Sequence, residues 1–244
     1  MNKLPAFFTS KSLLIVFYGL TLTFMFSSTA FGQRMVDYDS YSEAYFDSIR
    51  TLVDDTTEEN YFIRAYRLKD NQEITIDGDL SEPAWNKAER GGNLLEKEPY
   101  PLVPMSEETE FVILYDEENL YIGVWCWDSE PEKIVQQVTP RGTTGPDNIS
   151  LFLDTYHDHR TGYKFRISLT GVQSDELRYD NVKRDSDWNG VWYSECSVDG
   201  KGWYGEVKIP FFNLRFRDVN KQTWGFNIMR SISKNASRGQ WKPH

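Results

Sequence analysis

Thr109-Glu-Phe-Val-Ile-Leu-Tyr-Asp-Glu-Glu-Asn-Leu-Tyr-Ile-Gly-Val-Trp-Cys-Trp-Asp128 decides the architecture. Thr109–Tyr115 and Asn119–Asp128 read as strands, and Asp116-Glu-Glu118 between them marks a hairpin turn. In the second strand Leu120, Ile122, Val124 and Cys126 share one face. Tyr121, Gly123, Trp125 and Trp127 share the other. Both faces are apolar, so this strand sits centrally in its sheet with cover on both sides.

On either side the same pattern repeats at short spacing. Upstream, Phe62–Leu68 and Glu73–Asp77 read as strands joined by the turn Asp70-Asn71, and Ser81–Trp85 suits a helical turn with Ser81 as N-cap. Downstream, strands are expected over Asn148–Asp154, Tyr163–Thr170, Asp175–Tyr179, Trp192–Val198, Trp203–Ile209 and Trp224–Ile232. Gly, Pro, Asn and Asp fill the loops, and no segment after residue 90 keeps a helical period. Many short strands without a 20–50 residue repeat predict an all-β, antiparallel β-sandwich over residues 61–244, and not a propeller or solenoid.

The amino terminus predicts export. Lys3 and Lys11 precede the apolar run Leu13–Phe26, and Ser28, Thr29, Ala30 and Gly32 are small. This is a secretory signal over residues 1–32, cut after Gly32 or, alternatively, after Ala30. The run is shorter than the ~20 residues a bilayer span needs. Residues 33–60 follow as an acidic leader, carrying Asp37, Asp39, Glu43, Asp47, Asp54, Asp55, Glu58 and Glu59, with a short helix around Tyr41–Val53. The expected location is periplasmic, outer-membrane-associated or extracellular.

The formal charge of −10 argues against a nucleic-acid partner, which needs basic stripes. It is neutral on a sugar ligand. Export permits a disulfide between Cys126 and Cys196, but both also suit buried free thiols, and the two readings stand side by side. His157, His159 and His244 are too few and too poorly spaced for a zinc centre.

Five segments, in order, resemble a known family. Ile74-Thr-Ile-Asp-Gly-Asp-Leu-Ser-Glu-Pro-Ala-Trp85 resembles the opening signature I-D-G-x-x-x-E-x-x-W of family 9 carbohydrate-binding modules. Leu114–Val124 resembles their second strand pair, and Asp147-Asn-Ile-Ser-Leu-Phe-Leu-Asp154 their D-x-V-E-I-F-I-D element. Gly202-Trp-Tyr-Gly-Glu-Val-Lys-Ile-Pro210 and Trp224-Gly-Phe-Asn-Ile228 resemble the later G-Y-x-x-E-x-x-I-P and I-G-F-N-I. Further stretches, including Phe152–Phe165, Trp188–Trp192 and Ile209–Phe216, are similar to the amino-terminal domain of large exported bacterial proteins. In those a β-rich membrane region follows, so the resemblance implies a C-terminal membrane β-barrel region beyond His244. It also implies a β-sandwich that binds a polysaccharide or oligosaccharide without catalysis and accompanies glycoside hydrolases in carbohydrate breakdown.

Sugar modules stack aromatic rings on the apolar face of a pyranose and fix its hydroxyls with polar groups. Some family members clamp one sugar between two tryptophans. Thr144 stands at the first of these positions, and the second falls beyond Trp241. Ser150 occupies the family's acidic position and Ser168 an asparagine position, while Arg166 matches a polar sugar-contacting position. Trp188 and Trp192 are the substitute platform, in a Gly/Asn/Asp loop and at a strand start. For Trp192 the competing reading is a plug of the sandwich. Asp154 and Asp158, beside His157 and His159, form the densest polar cluster. They suit calcium through hard oxygen ligands, or a turn capped by Asp. A carboxylate pair drawn from Asp154, Asp175, Asp180 and Glu206 would serve a glycosidase, but no catalytic signature marks one.

Overall fold

The structure is a computed structural model that describes residues 61–143, 145–180 and 183–242, together with the strand Leu14–Gly19. The rest of the expected signal and all of the leader lie outside the described residues, as does Thr144.

In chain order the strands are β1 (Leu14–Gly19), β2 (Phe62–Arg64), β3 (Tyr66–Arg67), β4 (Leu95–Glu98), β5 (Thr109–Tyr115), β6 (Asn119–Trp127) and β7 (Asn148–Asp154). They continue with β8 (Gly162–Ser168), β9 (Gln173–Tyr179), β10 (Lys183–Asp185), β11 (Tyr193–Asp199), β12 (Gly202–Pro210), β13 (Lys221–Ile232) and β14 (Ser237–Gln240). Helical structure among the described residues is confined to single 3-10 turns at Trp85–Lys87, Pro131–Lys133 and Phe211–Asn213. None of it is long and apolar enough to cross a membrane.

Two sheets form the sandwich. The smaller runs β11-β12-β6-β5-β3, and the larger runs β10-β9-β8-β7-β13-β1-β2 with β14 and then β4 branching from β13. Pairing is antiparallel except at β1–β13 and β3–β5. Period-2 alternation builds the core. Leu151, Leu153, Phe165, Ile167, Phe226 and Ile228 from the larger sheet meet Phe111, Ile113, Ile122, Val124, Trp203 and Val207 from the smaller.

β6 is buried along its length, as its two apolar faces require. Its second face lies under a covering segment that contributes Leu68, Ala84 and Trp85 to a second cluster with Val112, Leu114, Tyr121 and Trp125. Trp85 crosses β6 at Gly123, where an added Cβ would stand 2.8 Å from Leu80 and 3.0 Å from the Trp85 ring.

One expectation needs correction. Glu73–Asp77 forms no strand. Carboxylates take its backbone donors instead: Glu82 accepts the N–H of Thr75 at 3.0 Å, and Glu206 that of Asp77 at 2.9 Å. β4 and β14 escape the pattern because Leu-Glu-Lys-Glu and Ser-Arg-Gly-Gln are short, polar and without apolar alternation, although most of their residues are buried. The cysteines are free. Cys126 on β6 and Cys196 on β11 are separated by β12. Two strand spacings of ~4.8 Å exceed the reach of a disulfide.

Candidate functional site

β8 sorts its side chains by parity. Tyr163, Phe165 and Ile167 enter the core, so Lys164 and Arg166 must project from the outer face of the larger sheet. Register then sets their neighbours. One row is Met229, Ser150, Arg166 and Ser174, and the next is Asn227, Phe152, Lys164 and Glu176.

This outer face is nonetheless sheltered. Ser150 is 3% exposed, Asn227 4% and Lys164 8%. Arg166 donates from Nε to the Ser150 hydroxyl at 3.0 Å. Glu176 accepts from Arg178 Nε at 2.6 Å and pairs with the Lys164 ammonium at 3.7 Å. Phe152 forms the apolar part of the floor, with Lys164 5.3 Å and Arg178 5.5 Å from its ring centre.

The electrostatics are those of crowded cations. Burial, and then the positive charges of Arg166, Arg178 and Arg238, push the Lys164 ammonium down to about 7. Glu176 moves the other way. Burial alone would raise it, but Lys164 and Arg178 hold it below the usual carboxylate range. Arg238 comes from β14, three strands from β8, yet acts on Lys164.

The tryptophans lie elsewhere. Trp192 is buried, edge-on to Phe165 at 5.3 Å between ring centres. Trp188 is half-buried against Tyr163 at 5.4 Å and Phe165 at 5.8 Å. Both pack on the interior face of β8, opposite Arg166. The structure does not bring the three residues together, and the plug reading of Trp192 is the one it supports. Beside Trp192 runs an open groove of about 570 Å³, lined by Ile74, Ile76, Gly171, Gln173, Tyr193, Ser194, Glu195 and Lys208.

Asp154 and Asp158 serve a turn. The Asp154 carboxylate accepts the N–H of His159 at 2.7 Å and of Asp158 at 3.3 Å. Asp158 accepts the N–H groups of Arg160 and Thr161. Burial raises Asp154 above its ordinary value. Among the described residues no group of three or more His, Cys, Asp or Glu side chains is placed to hold a metal. The geometry favours the capped turn over the calcium site.

Sequence reasoning reached Arg166 and Ser150 but missed Lys164, Glu176, Arg178 and Phe152 as a group. Strand parity in β8 and β9 was the signal that could have found them. It gives the faces, but not which residues lie side by side.

No protein-family model matches the chain, and no curated protein matches it. Solved structures do. A candidate carbohydrate-binding protein from Bacteroides uniformis superposes with a TM-score of 0.58 at 14% identity, covering 74% of this chain and 88% of that one. The likeness is one of fold. Two structures of a family 9 carbohydrate-binding module from Caldicellulosiruptor kristjanssonii also align, one in complex with cellotriose and one with glucose. Their TM-scores are 0.49 and 0.47 and their identities 15% and 16%, covering 72% of this chain and 82% and 85% of theirs.

Proposed function

We propose that this domain binds an oligosaccharide without catalysis, on the outer face of the larger sheet, as part of an exported protein. The observation that carries the reading is the Arg166–Ser150–Phe152 arrangement. A guanidinium oriented by a serine hydroxyl stands one row from an aromatic ring on a sheltered sheet face. That combination offers hydrogen bonds to sugar hydroxyls beside an apolar surface for a pyranose face. The fold shared with the Bacteroides uniformis protein, a candidate carbohydrate-binding protein, is in keeping with it.

In this role the domain raises the local concentration of a companion activity at a polysaccharide. Processing after Gly32 would remove β1. The β13 edge from Lys221 to Phe226, which β1 pairs, would then open.

Calorimetry with a panel of gluco-, xylo- and galacto-oligosaccharides tests the reading. Wild type binds at least one member, and Arg166→Ala weakens that binding by about 1–3 kcal/mol. Absence of binding across the panel sinks it. One observation favours a second reading, a structural or interaction domain of a larger outer-membrane protein. Trp188 and Trp192 pack inward, so they offer no two-sided stacking platform with Arg166.

A further inference from the structure

The groove beside Trp192 lies at the edge of the smaller sheet and is separate from the Arg166 face. Gln173 lines it and pairs with Ile167 of the interior face, whereas Arg166 pairs with Ser174. At about 570 Å³ the groove falls within the ~300–1,000 Å³ of small-ligand sites. Alternation at the start of β11 turns Trp192 into the core and Tyr193 outward, where it is 51% exposed. Register puts Lys208 directly opposite Tyr193, and Glu195 follows two residues on along the same face. Ile74 and Ile76 of the covering segment supply an apolar wall. The wall at Gln173 is fixed in advance: its amide donates to the Trp192 carbonyl at 3.3 Å and the Ser194 hydroxyl at 3.0 Å, and its carbonyl accepts from Arg141 at 2.7 Å. The charges are not engaged in this way. Among the described residues neither Glu195 nor Lys208 has an ion pair, and the Lys208 ammonium stands 5.7 Å from the Tyr121 ring centre. Just outside, Asn213 bonds both backbone groups of Val191, which sets the neighbouring Phe212, 76% exposed, at the same end. Phe212 and Tyr193 are the two most exposed aromatic side chains among the described residues.

We infer that this groove is a second oligosaccharide site, independent of the Arg166 face, for a neutral chain of several pyranoses. One sugar lays its apolar face on the Tyr193 ring, and the chain runs outward toward Phe212. Its hydroxyls donate to the Glu195 carboxylate and accept from the Lys208 ammonium, a double role that hydroxyl groups fill. One carboxylate and one ammonium side by side leave no net charge for an ionic ligand to answer. A purely apolar partner would bury both without hydrogen bonds.

The test titrates cellotetraose, xylotetraose and mannotetraose calorimetrically into the full chain and its variants. Arg166→Ala leaves the groove intact, so at least one tetraose still binds that variant. In the Arg166→Ala background, Tyr193→Ala weakens the binding by about tenfold or more and Glu195→Gln by about fivefold. Tyr193→Phe keeps the ring and stays within about twofold of its parent. Tyr193 and Glu195 are exposed, so urea midpoints stay unchanged while binding falls. A tetraose that binds wild type but not Arg166→Ala overturns the inference and leaves the site on the larger sheet standing. Binding to Arg166→Ala that survives both Tyr193→Ala and Glu195→Gln overturns the assignment to this groove. Absence of binding by all three tetraoses overturns it as well.

Discussion

Glu206 and Gly78 are 128 residues apart in the chain and joined by a 2.7 Å hydrogen bond from the Gly78 N–H to the Glu206 carboxylate. The same oxygen accepts the N–H of Asp77. Gly78 has a positive φ of 85°, and a Cβ there would lie 3.0 Å from the Cys196 backbone, so glycine is required twice over. Ser197 closes the contact by donating its hydroxyl to the Gly78 carbonyl. One carboxylate of the smaller sheet thus holds the segment that covers it.

The burial of Glu206 makes stability depend on pH in a defined direction. Its carboxyl is pushed up to about 7 by burial, against an ordinary 4.5. The folded state therefore binds this proton more tightly than the unfolded state. The contribution is complete below pH 4.5 and is lost as pH rises through 7. Urea melts should show wild type losing stability between pH 5 and 7.5 relative to Glu206→Gln, by about 1–3 kcal/mol. Parallel pH profiles for the two proteins would show that Glu206 does not titrate in this window.

Lys164 has the opposite sign. Its folded ammonium is down at about 7 against an ordinary 10.5. Below pH 7 both states are charged and the full burial cost is present, and stability rises as pH climbs from 7 toward 10.5. Lys164→Met should therefore be more stable than wild type at pH 6.5 by about 1–3 kcal/mol. The gap should narrow by pH 10. A variant less stable at pH 6.5 would mean that the Glu176 pair outweighs desolvation.

Arg230 should be the costliest polar residue to remove. It is fully buried, and its guanidinium donates to the carbonyls of Glu108 at 2.8 Å and Trp127 at 2.9 Å and to the Thr109 hydroxyl at 3.1 Å. It ties β13 to the ends of β5 and β6 across the sandwich. Arg230→Met removes these three bonds, although the Glu108 carbonyl keeps the N–H of Trp127 at 3.1 Å, and should cost about 3–5 kcal/mol in denaturant melts. A loss under about 1 kcal/mol would show that water replaces the guanidinium.

Export predicts a mature amino terminus at Gln33, after removal of Met1–Gly32. Intact-mass measurement on protein recovered outside the cytoplasm checks it. A mass retaining Met1–Gly32 would mean that Leu14–Gly19 remains in place beside β13 as β1.

The sandwich is readable from residue order alone, because alternation and local chemistry suffice for it. β5 and β7 begin and end where their patterns do, at Thr109–Tyr115 and Asn148–Asp154. The family-like signatures are also legible in this sense, since most of their polar residues do work for the backbone. Glu82 bridges the Thr75 N–H and the Trp85 indole, Asp147 accepts from Ser233, and Asn227 exchanges hydrogen bonds with the backbone of Lys242. Such residues specify a fold and leave the ligand open. The candidate site depends on how the strands pair and pack. Parity shows that Lys164 and Arg166 share a face, but the register of four strands sets Phe152, Glu176 and Asn227 beside them. It also decided against a joint site with Trp188 and Trp192. Whether an aromatic near a strand faces water or the core depends on the sheet packed opposite it, and that contact spans the whole chain.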